Sequence, residues 1–362
     1  MKSGYKTDLA LIISVIISSL YGLLLITSAV KSTGSYSNVI VQSVGIVMGI
    51  ICMVVISQMD YSAILQLSKY IMGVYVGFLV LVLIIGIGRE TTGTNGWISL
   101  GPVNVQPSEF AKVGFIITFS YHLWYLGDRI KEIKNVFFLG VHLLIPLALI
   151  LLQPDYGTAM VFIFIALVML FYAGLPMRYF AAGGAALVVS APLLWNFVFS
   201  EFQKNRFLVF LNPEASPMDA GYNVMQSKLA VGSGMVSGKG LFEGTQIQLG
   251  FLPGKHTDFI FAVAGEELGF LGAMAIILLL GFIICRIFYR ASSVRKDSGA
   301  FILVGCGAMF LFQTFENIGM NIGIMPVTGI PLPFFSYGGS SILTSFIAIG
   351  LILSVIKRKD NI

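Results

Sequence analysis

The stretch LALIISVIISSLYGLLLITSAV, residues 9–30, carries no charged side chain. As a helix it is long enough to cross a bilayer, because about 20 residues rising 1.5 Å each span the hydrocarbon core of about 30 Å. Similar stretches recur along the chain. In hydrocarbon every backbone N–H and C=O needs a partner within the protein, so such a chain is confined to a bundle of spanning helices. The predicted spans are residues 9–30, 38–57, 70–88, 109–126, 137–152, 156–174, 179–199, 263–286, 300–320 and 341–356, about ten in all. A mean hydropathy of +0.90 with 57% hydrophobic residues agrees with an all-α polytopic membrane protein, read as a single domain over 1–362. The first run exceeds the apolar region of a cleaved signal, about 7–15 residues, and reads as a retained helix.

Cys52, Cys285 and Cys306 all fall inside spans with no ligand spacing, so neither a disulfide framework nor a zinc site is supported. Threading the spans in order puts most of the 22 Lys and Arg on the side of the N-terminus. Outside one long loop, the opposite side holds only Lys31, Arg89 and Lys112. The positive-inside rule therefore places both termini in the cytoplasm. The pI near 9.0 follows from this topology, and no nucleic-acid partner is implied. Two connections are long, 89–108 and about 200–262. The second mixes apolar, Gly and polar residues without low complexity, and reads as one large ordered extracellular loop. No internal repeat is visible.

Only 11% of residues are charged, yet LPGKHTDFIFAVAGEELGF, residues 252–270, gathers Lys255, His256, Asp258, Glu266 and Glu267 at the edge of a span. Glu266 and Glu267 adjoin, so on a helix they point about 100° apart, and one of them is expected to be structural. Other polar groups collect at the same membrane level. Glu109 and Lys112 in QPSEFAK share a helix face, as an ion pair holding helices together or as part of a site. Asp155 in QPDYGTA heads a span, as a helix cap or as a functional acid. Trp97 belongs either to an interfacial aromatic belt or to a substrate-stacking surface. His256 is a hydrogen-bonded loop residue or a substrate contact. Gln313, Asn317 and Asn321 repeat every fourth residue beside Glu316, a stripe that faces the bundle interior as interhelical glue or as a cavity lining. Together these groups argue for a polar cavity opening outward. Further on, Pro326, Pro331 and Pro333 forbid a regular helix over 319–341, and irregular backbone at membrane depth must be buried or line a cavity. Gly338 and Gly339 then lead to Ser340 or Ser341 at a helix head, an arrangement that suits a phosphate or a plain turn and cap.

The motifs GWISLG…QPSEFAK, QPDYGTA, GYNVMQSKLAVGSG, GTQIQLGFLPGKHTDFIFAVAGEELGF and NIGMNIGIMPVTGIPLPFFSYGGSS, in this order between about 97 and 341, resemble those of the SEDS family, the RodA, FtsW and SpoVE proteins. The later motifs are nearer RodA members, associated with cell elongation and rod shape, than the division or sporulation members. The resemblance implies a peptidoglycan glycosyltransferase that polymerises lipid II at the outer face of the bacterial cytoplasmic membrane. It further implies that Asp258 is the essential acid, that Trp97, Glu109, Lys112 and Asp155 match site positions, and that a class B penicillin-binding protein and other elongation-complex proteins are partners. Two departures stand out: Met235 where the family usually has Gly, and no basic residue just before Trp97.

The chemistry this implies is an inverting one, from the α-linked sugar diphosphate of lipid II to a β-1,4 glycan strand. It needs a base for the acceptor hydroxyl, assigned to Asp258, and no general acid, because undecaprenyl diphosphate is a stable leaving group. Lys112, Arg206 and Lys255 are candidate diphosphate partners, with His256 and Ser340 as further substrate contacts. No cofactor is fixed; a divalent cation, Mg or Mn, is a candidate for the same electrostatic task. The penicillin-binding set SxxK, SxN and KTG is missing, so transpeptidation is not expected of this chain. A lipid II flippase and a non-catalytic scaffold are the competing readings. The flippase requires a polar route to the inner side, and the scaffold requires no buried charge cluster.

Overall fold

A computed structural model describes residues 8–359 apart from 33, 35, 89–93, 100, 102–103, 194, 197–203, 205–208, 211–219 and 294–296. Its helices are α1 (Leu9–Lys31), α2 (Ser37–Gln58), the short α3 (Tyr61–Gln66) and α4 (Ser68–Ile85). A two-stranded hairpin follows, β1 (Ile98–Ser99) antiparallel to β2 (Asn104–Val105), with Ile98 opposite Val105. Next come α5 (Pro107–Leu126), a 3-10 turn, α6 (Ile133–Leu151), α7 (Tyr156–Ala173) and α8 (Met177–Leu193). The final group is α9 (Ala220–Ser233), α10 (Thr245–Gln248), α11 (Ile260–Glu267), α12 (Gly269–Ser292), α13 (Ser298–Asn321) and α14 (Gly339–Lys359). Among the described residues eight helices are long and apolar enough to span a membrane, and α8, at 17 residues, is a shorter apolar one. Helix α5 completes the expected set of about ten. Its charges lower its hydropathy, and its neighbours rather than lipid cover its polar residues, Glu109 and Lys112 included.

Aspartates define several helix heads, where a carboxylate accepts free N–H groups and meets the positive end of the dipole. Asp8 caps α1, Asp60 caps α3, Asp155 caps α7 and Asp297 caps α13. Asp8 also receives Arg286 and Arg290 from the end of α12 at 2.9 and 2.8 Å, tying the first helix to a late one. Burial alone would raise the Asp8 carboxyl, but these two arginines and the Leu11 N–H hold it below the usual carboxylate range.

The bundle is layered around its last two long helices. In α14 83% of the spanning window is buried and in α13 72%, against 22% for α2 and α4, which therefore face lipid. Helix α14 lies closely along α2, where small residues let the backbones approach. A Cβ on Gly49 would sit 2.5 Å from the Phe346 ring, and one on Gly350 would sit 2.9 Å from the Met53 carbonyl.

The span expected over 263–286 is divided. Helices α11 and α12 meet at Gly269, whose φ of +65° breaks the helical path. The free backbone groups at the break pair with residues 234–240 of the long loop. Lys239 and Gly240 N–H donate to the carbonyls of Glu266 and Glu267, each at 3.0 Å, while Phe270 N–H donates to Met235 O at 2.8 Å. Met235 has a left-handed φ of +51° and an exposed side chain. The expected ordered loop is thus borne out over 220–262, as α9, α10 and turns packed on the bundle end.

Gly238 lies inside this interlock at φ +81°, and a Cβ there would come within 2.1 Å of the Glu267 carbonyl. Gly238→Ala should cost on the order of 2 kcal/mol and lower the melting temperature of the detergent-solubilised protein. Gly184→Ala, in open space on α8, should leave that temperature unchanged or raised.

Candidate active site

Asp258 sits in the turn before α11 and is half-buried. Its backbone is held from two sides. The Nδ2 groups of Asn317 and Asn321 on α13 both donate to its carbonyl at 3.0 Å, and Asn317 also reaches Ile330 O at 2.8 Å. Asn321 Oδ1 accepts the Ala262 N–H at 3.1 Å and the Ser227 hydroxyl at 3.3 Å, linking α9 and α11. The proline-rich segment forms the other side. Ser336 Oγ donates to Thr257 O at 2.7 Å and Tyr337 N–H to His256 O at 2.9 Å. Gln42 of α2 spans the end of that segment, donating to Ser336 O and accepting from Gly338 N–H, each at 3.1 Å. The irregular backbone at the site is therefore closed by side-chain amides and hydroxyls, as membrane depth demands. The carboxylate end of Asp258 faces Gly329, where a Cβ would lie 3.7 Å from Oδ2.

A second cluster is built at the head of α5 and α7. Lys112 Nζ lies 2.7 Å from Glu109 Oε1, and the two residues are 1% and 3% exposed, so this pair is shielded from water. Asp155 Oδ1 accepts the Thr158 N–H at 3.1 Å, and Oδ2 accepts Gln106 Nε2 at 3.3 Å. Gln106 N–H in turn donates to Ser340 Oγ at 3.0 Å. Burial pushes the Asp155 carboxyl above its ordinary value against the Thr158 hydrogen bonds, with Glu109 adding to the rise and Lys112 opposing it. A Cβ on Gly157 would lie 2.9 Å from the Thr328 carbonyl, so the 328–330 turn adjoins both clusters. Beside the second cluster an apolar groove of about 800 Å³ runs along α4, α5, α14 and the hairpin, from Leu67 to Ile98, Val105 and Pro107.

Of the expected site residues, the structure gathers Glu109, Lys112, Asp155 and Ser340 at one cluster and Asp258 with His256 at the other. Trp97 pairs with Ile87 through a two-way backbone bridge in the strap leading to the hairpin. Lys255 lies apart. Its ammonium donates to Ser32 Oγ at 2.6 Å and to the Ile247 carbonyl, and burial lowers its pKa despite the Glu267 charge. Arg206 lies outside the described residues. Both Glu266 and Glu267 prove structural, where only one was expected to be. Glu266 binds Lys239 at 2.6 Å and the N–H groups of Gln246 and Ile247, while Glu267 accepts Ser28 and Gln248. Gln42, Gln106, Ser336 and Thr328 were not anticipated; a lone amide inside an apolar span, as at Gln42, was the available signal. Among the described residues no three His, Cys, Asp or Glu side chains converge to hold a metal, so a bound cation would take most of its oxygens from phosphate.

These features define a polytopic helical membrane protein with a buried, preorganised polar site where broken helices meet. The sequence model of the FtsW/RodA/SpoVE family, described as a cell cycle protein, matches residues 8–361, and the chain belongs to that family. It is similar to the peptidoglycan glycosyltransferase MrdB of Escherichia coli K12, 35% identical over 312 residues that cover 86% of this chain and 83% of the relative. A probable peptidoglycan glycosyltransferase FtsW of Trichlorobacter lovleyi is also 35% identical, over 96% of this chain and 92% of the relative. Among solved structures, a chain of a peptidoglycan synthase complex, described for its coordination of polymerization and crosslinking, superposes with a TM-score of 0.84 at 29% identity, covering 98% of each chain.

Breaking a buried ion pair leaves one charge uncompensated. Lys112→Met should therefore cost about 3–5 kcal/mol in thermal unfolding, and the double change with Glu109→Gln should restore most of it. Activity that stays lost in the stable double variant would give the pair a role beyond holding helices together. Burial, and then the Lys255 charge, lower the His256 pKa below 6.5, so the folded protein binds fewer protons than the unfolded chain below that pH. Stability should fall as pH drops through about 6.5, and His256→Gln should flatten that slope in melting curves.

Proposed function

We propose that this chain is an inverting peptidoglycan glycosyltransferase that polymerises lipid II into β-1,4 glycan strands in the bacterial cytoplasmic membrane, serving cell elongation and rod shape. Its relatives carry both RodA-type and FtsW-type names, so a division or sporulation role is the nearest alternative. Both termini lie in the cytoplasm and the site faces outward, in keeping with the distribution of Lys and Arg. The observation that carries the reading is the setting of Asp258, whose backbone is clamped by two asparagines while its carboxylate faces Gly329.

In this mechanism Asp258 takes the proton of the acceptor 4-hydroxyl as the new glycosidic bond forms. The bond from C1 to the diphosphate oxygen breaks, and its electron pair leaves with undecaprenyl diphosphate. Preorganisation favours the step, because a fixed carboxylate needs little reorganisation in the transition state. Lys112 offers the nearest fixed positive charge on the α5 side, with Arg206 and Lys255 as further diphosphate contacts. Trp97 and Ser340 flank the channel for the sugars. The apolar groove along α4 and α5 ends at Pro107, next to Gln106, and suits the polyprenyl chain. A class B penicillin-binding protein supplies crosslinking, in line with the synthase complex that the fold matches.

A lipid II flippase would require a polar path through the bundle. On α5, however, Phe115 and Phe119, fully buried and stacked at 4.9 Å, separate Lys112 from the inner cavity of about 440 Å³ that holds His122 and His142. The deciding experiment supplies lipid II to the purified protein with a class B partner and follows polymer on gels. Asp258→Asn should cut the rate at least about 100-fold at equal folding and partner binding. Undiminished polymer from that variant would remove Asp258 as the base, and no polymer from the wild type would return the transport and scaffold readings.

A further inference from the structure

The cavity of about 440 Å³ lies toward the other end of α5 from Glu109 and Lys112, between the start of α4 and the middle of α6. Tyr121, His122 and Tyr125 bring the last turns of α5 to it, and a rise of 1.5 Å per residue sets them about 14–20 Å beyond Lys112 along the helix. It is therefore separate from the candidate active site. Lys69 is exposed at its mouth, while Ser68, Thr118 and His142 are buried in its wall. Among the described residues that line it there is no Asp or Glu. Arg129 adds a second cation beside the mouth, its guanidinium 5.7 Å from the centre of the Tyr125 ring. Positive charge and hydrogen-bond donors with no carboxylate among them suit an anion.

The two histidines are arranged to serve one. Their rings stack with centroids 5.3 Å apart, and His122 Nδ1 lies 3.1 Å from His142 Nδ1. His142 Nε2 in turn lies 3.0 Å from Thr118 Oγ1. A neutral imidazole donates from one nitrogen and accepts at the other, so the row Thr118–His142–His122 has two polarities. In one of them the Thr118 hydroxyl donates to His142 Nε2 and His142 Nδ1–H donates to His122 Nδ1. The last N–H of the row, on His122 Nε2, is then offered to the cavity. An anion selects this polarity, and it does so without adding a charge to either ring.

What surrounds the cavity names the source of the anion. Only 22% of the spanning window is buried in α4 and in α6, so the helices on either side face lipid. Tyr70, Trp124 and Tyr125 are exposed near the mouth, as in the aromatic belt that marks the headgroup level. Basic pockets between spanning helices at that level hold phosphate-bearing lipid heads. We propose that this cavity binds the phosphate group of an anionic phospholipid: Lys69 supplies the charge, and His122 Nε2–H with the Ser68 and Tyr121 hydroxyls donates to the phosphate oxygens. A lipid held in this way ties the start of α4 to α5 and α6. The site stands apart from the glycosyltransferase reading and does not depend on it.

The test titrates phosphatidylglycerol into the full chain in phosphatidylcholine–detergent micelles and reads bound lipid by native mass spectrometry, with melting temperature as a second readout. The wild type should retain phosphatidylglycerol and melt higher as it is added. Lys69→Gln and His122→Phe should each weaken the apparent Kd about tenfold, the worth of one charge-assisted hydrogen bond, and should lose the rise in melting temperature. Lys134→Gln removes a charge at the same end of the bundle without lining the cavity, and should stay within about twofold of the wild type. Lys69 is exposed, so its variant carries the test even if His122→Phe folds poorly. Equal weakening by Lys69→Gln and Lys134→Gln would mean diffuse attraction and overturn the proposal, as would wild-type binding in Lys69→Gln. Millimolar inorganic phosphate should displace the lipid only weakly. If it competes fully and raises the melting temperature as much, the site serves a free phosphate and the lipid assignment fails. Polymerisation is not part of the readout, so neither result bears on Asp258.

Discussion

The architecture depends on one requirement: non-helical backbone lying at membrane depth has to have its N–H and C=O groups paired. Residues 254–259 and 322–338 both depart from regular helix in the middle of the fold. Neither segment could be left to water, and each is closed by side chains of a neighbouring long helix. Asn317 and Asn321 are spaced one turn apart on α13, so both amides meet the same carbonyl. Gln42 does the equivalent from α2, using both ends of its amide on Ser336 and Gly338. The turn that carries Asp258 is thus a by-product of the way the broken backbone is satisfied, and the positions of the amides decide where Asp258 can stand.

The same economy governs charge. Enclosing an ion costs several kcal/mol unless a partner comes with it, and most acids at this level bring one. Glu109 with Lys112 is buried as a neutral pair, buried Glu266 meets the partly exposed Lys239, and Glu267 gathers hydroxyl and amide donors from α1 and α10. These groups stiffen the frame at the head of α5 and around α11.

Much of this was legible in the sequence, and for physical reasons. Long apolar runs report spans directly, because hydrocarbon tolerates little else, and the polar stripe of Gln313, Asn317 and Asn321 had to face inward. The prolines between 326 and 333 announced an irregular segment. What stayed hidden depended on partners distant in the chain. Lys255 reads as a candidate diphosphate contact, and nothing near it in the chain announces that its ammonium also reaches Ser32, 223 residues away. Glu266 and Glu267 looked like alternatives until the long loop folded back and supplied donors to both. The break at Gly269 was hidden within a run apolar enough to pass as one span, since only the loop backbone at 234–240 makes the interruption affordable. Gln106 carried no signal beyond its neighbours, and its role arises from where α7 and α14 begin.

That interlock between residues 234–240 and the α11–α12 break is made largely main chain to main chain, with the Lys239–Glu266 ion pair beside it. Peptide groups are the same in every residue but proline, so such a joint places few demands on side-chain identity beyond that ion pair and the glycines at its closest approaches. The loop can therefore change its chemistry at exposed positions such as Met235 and Val236 while its placement against the α11–α12 break is retained. Anchorage and surface are thus carried by different atoms, and the exposed side chains of this face can vary without rebuilding the hinge beneath them.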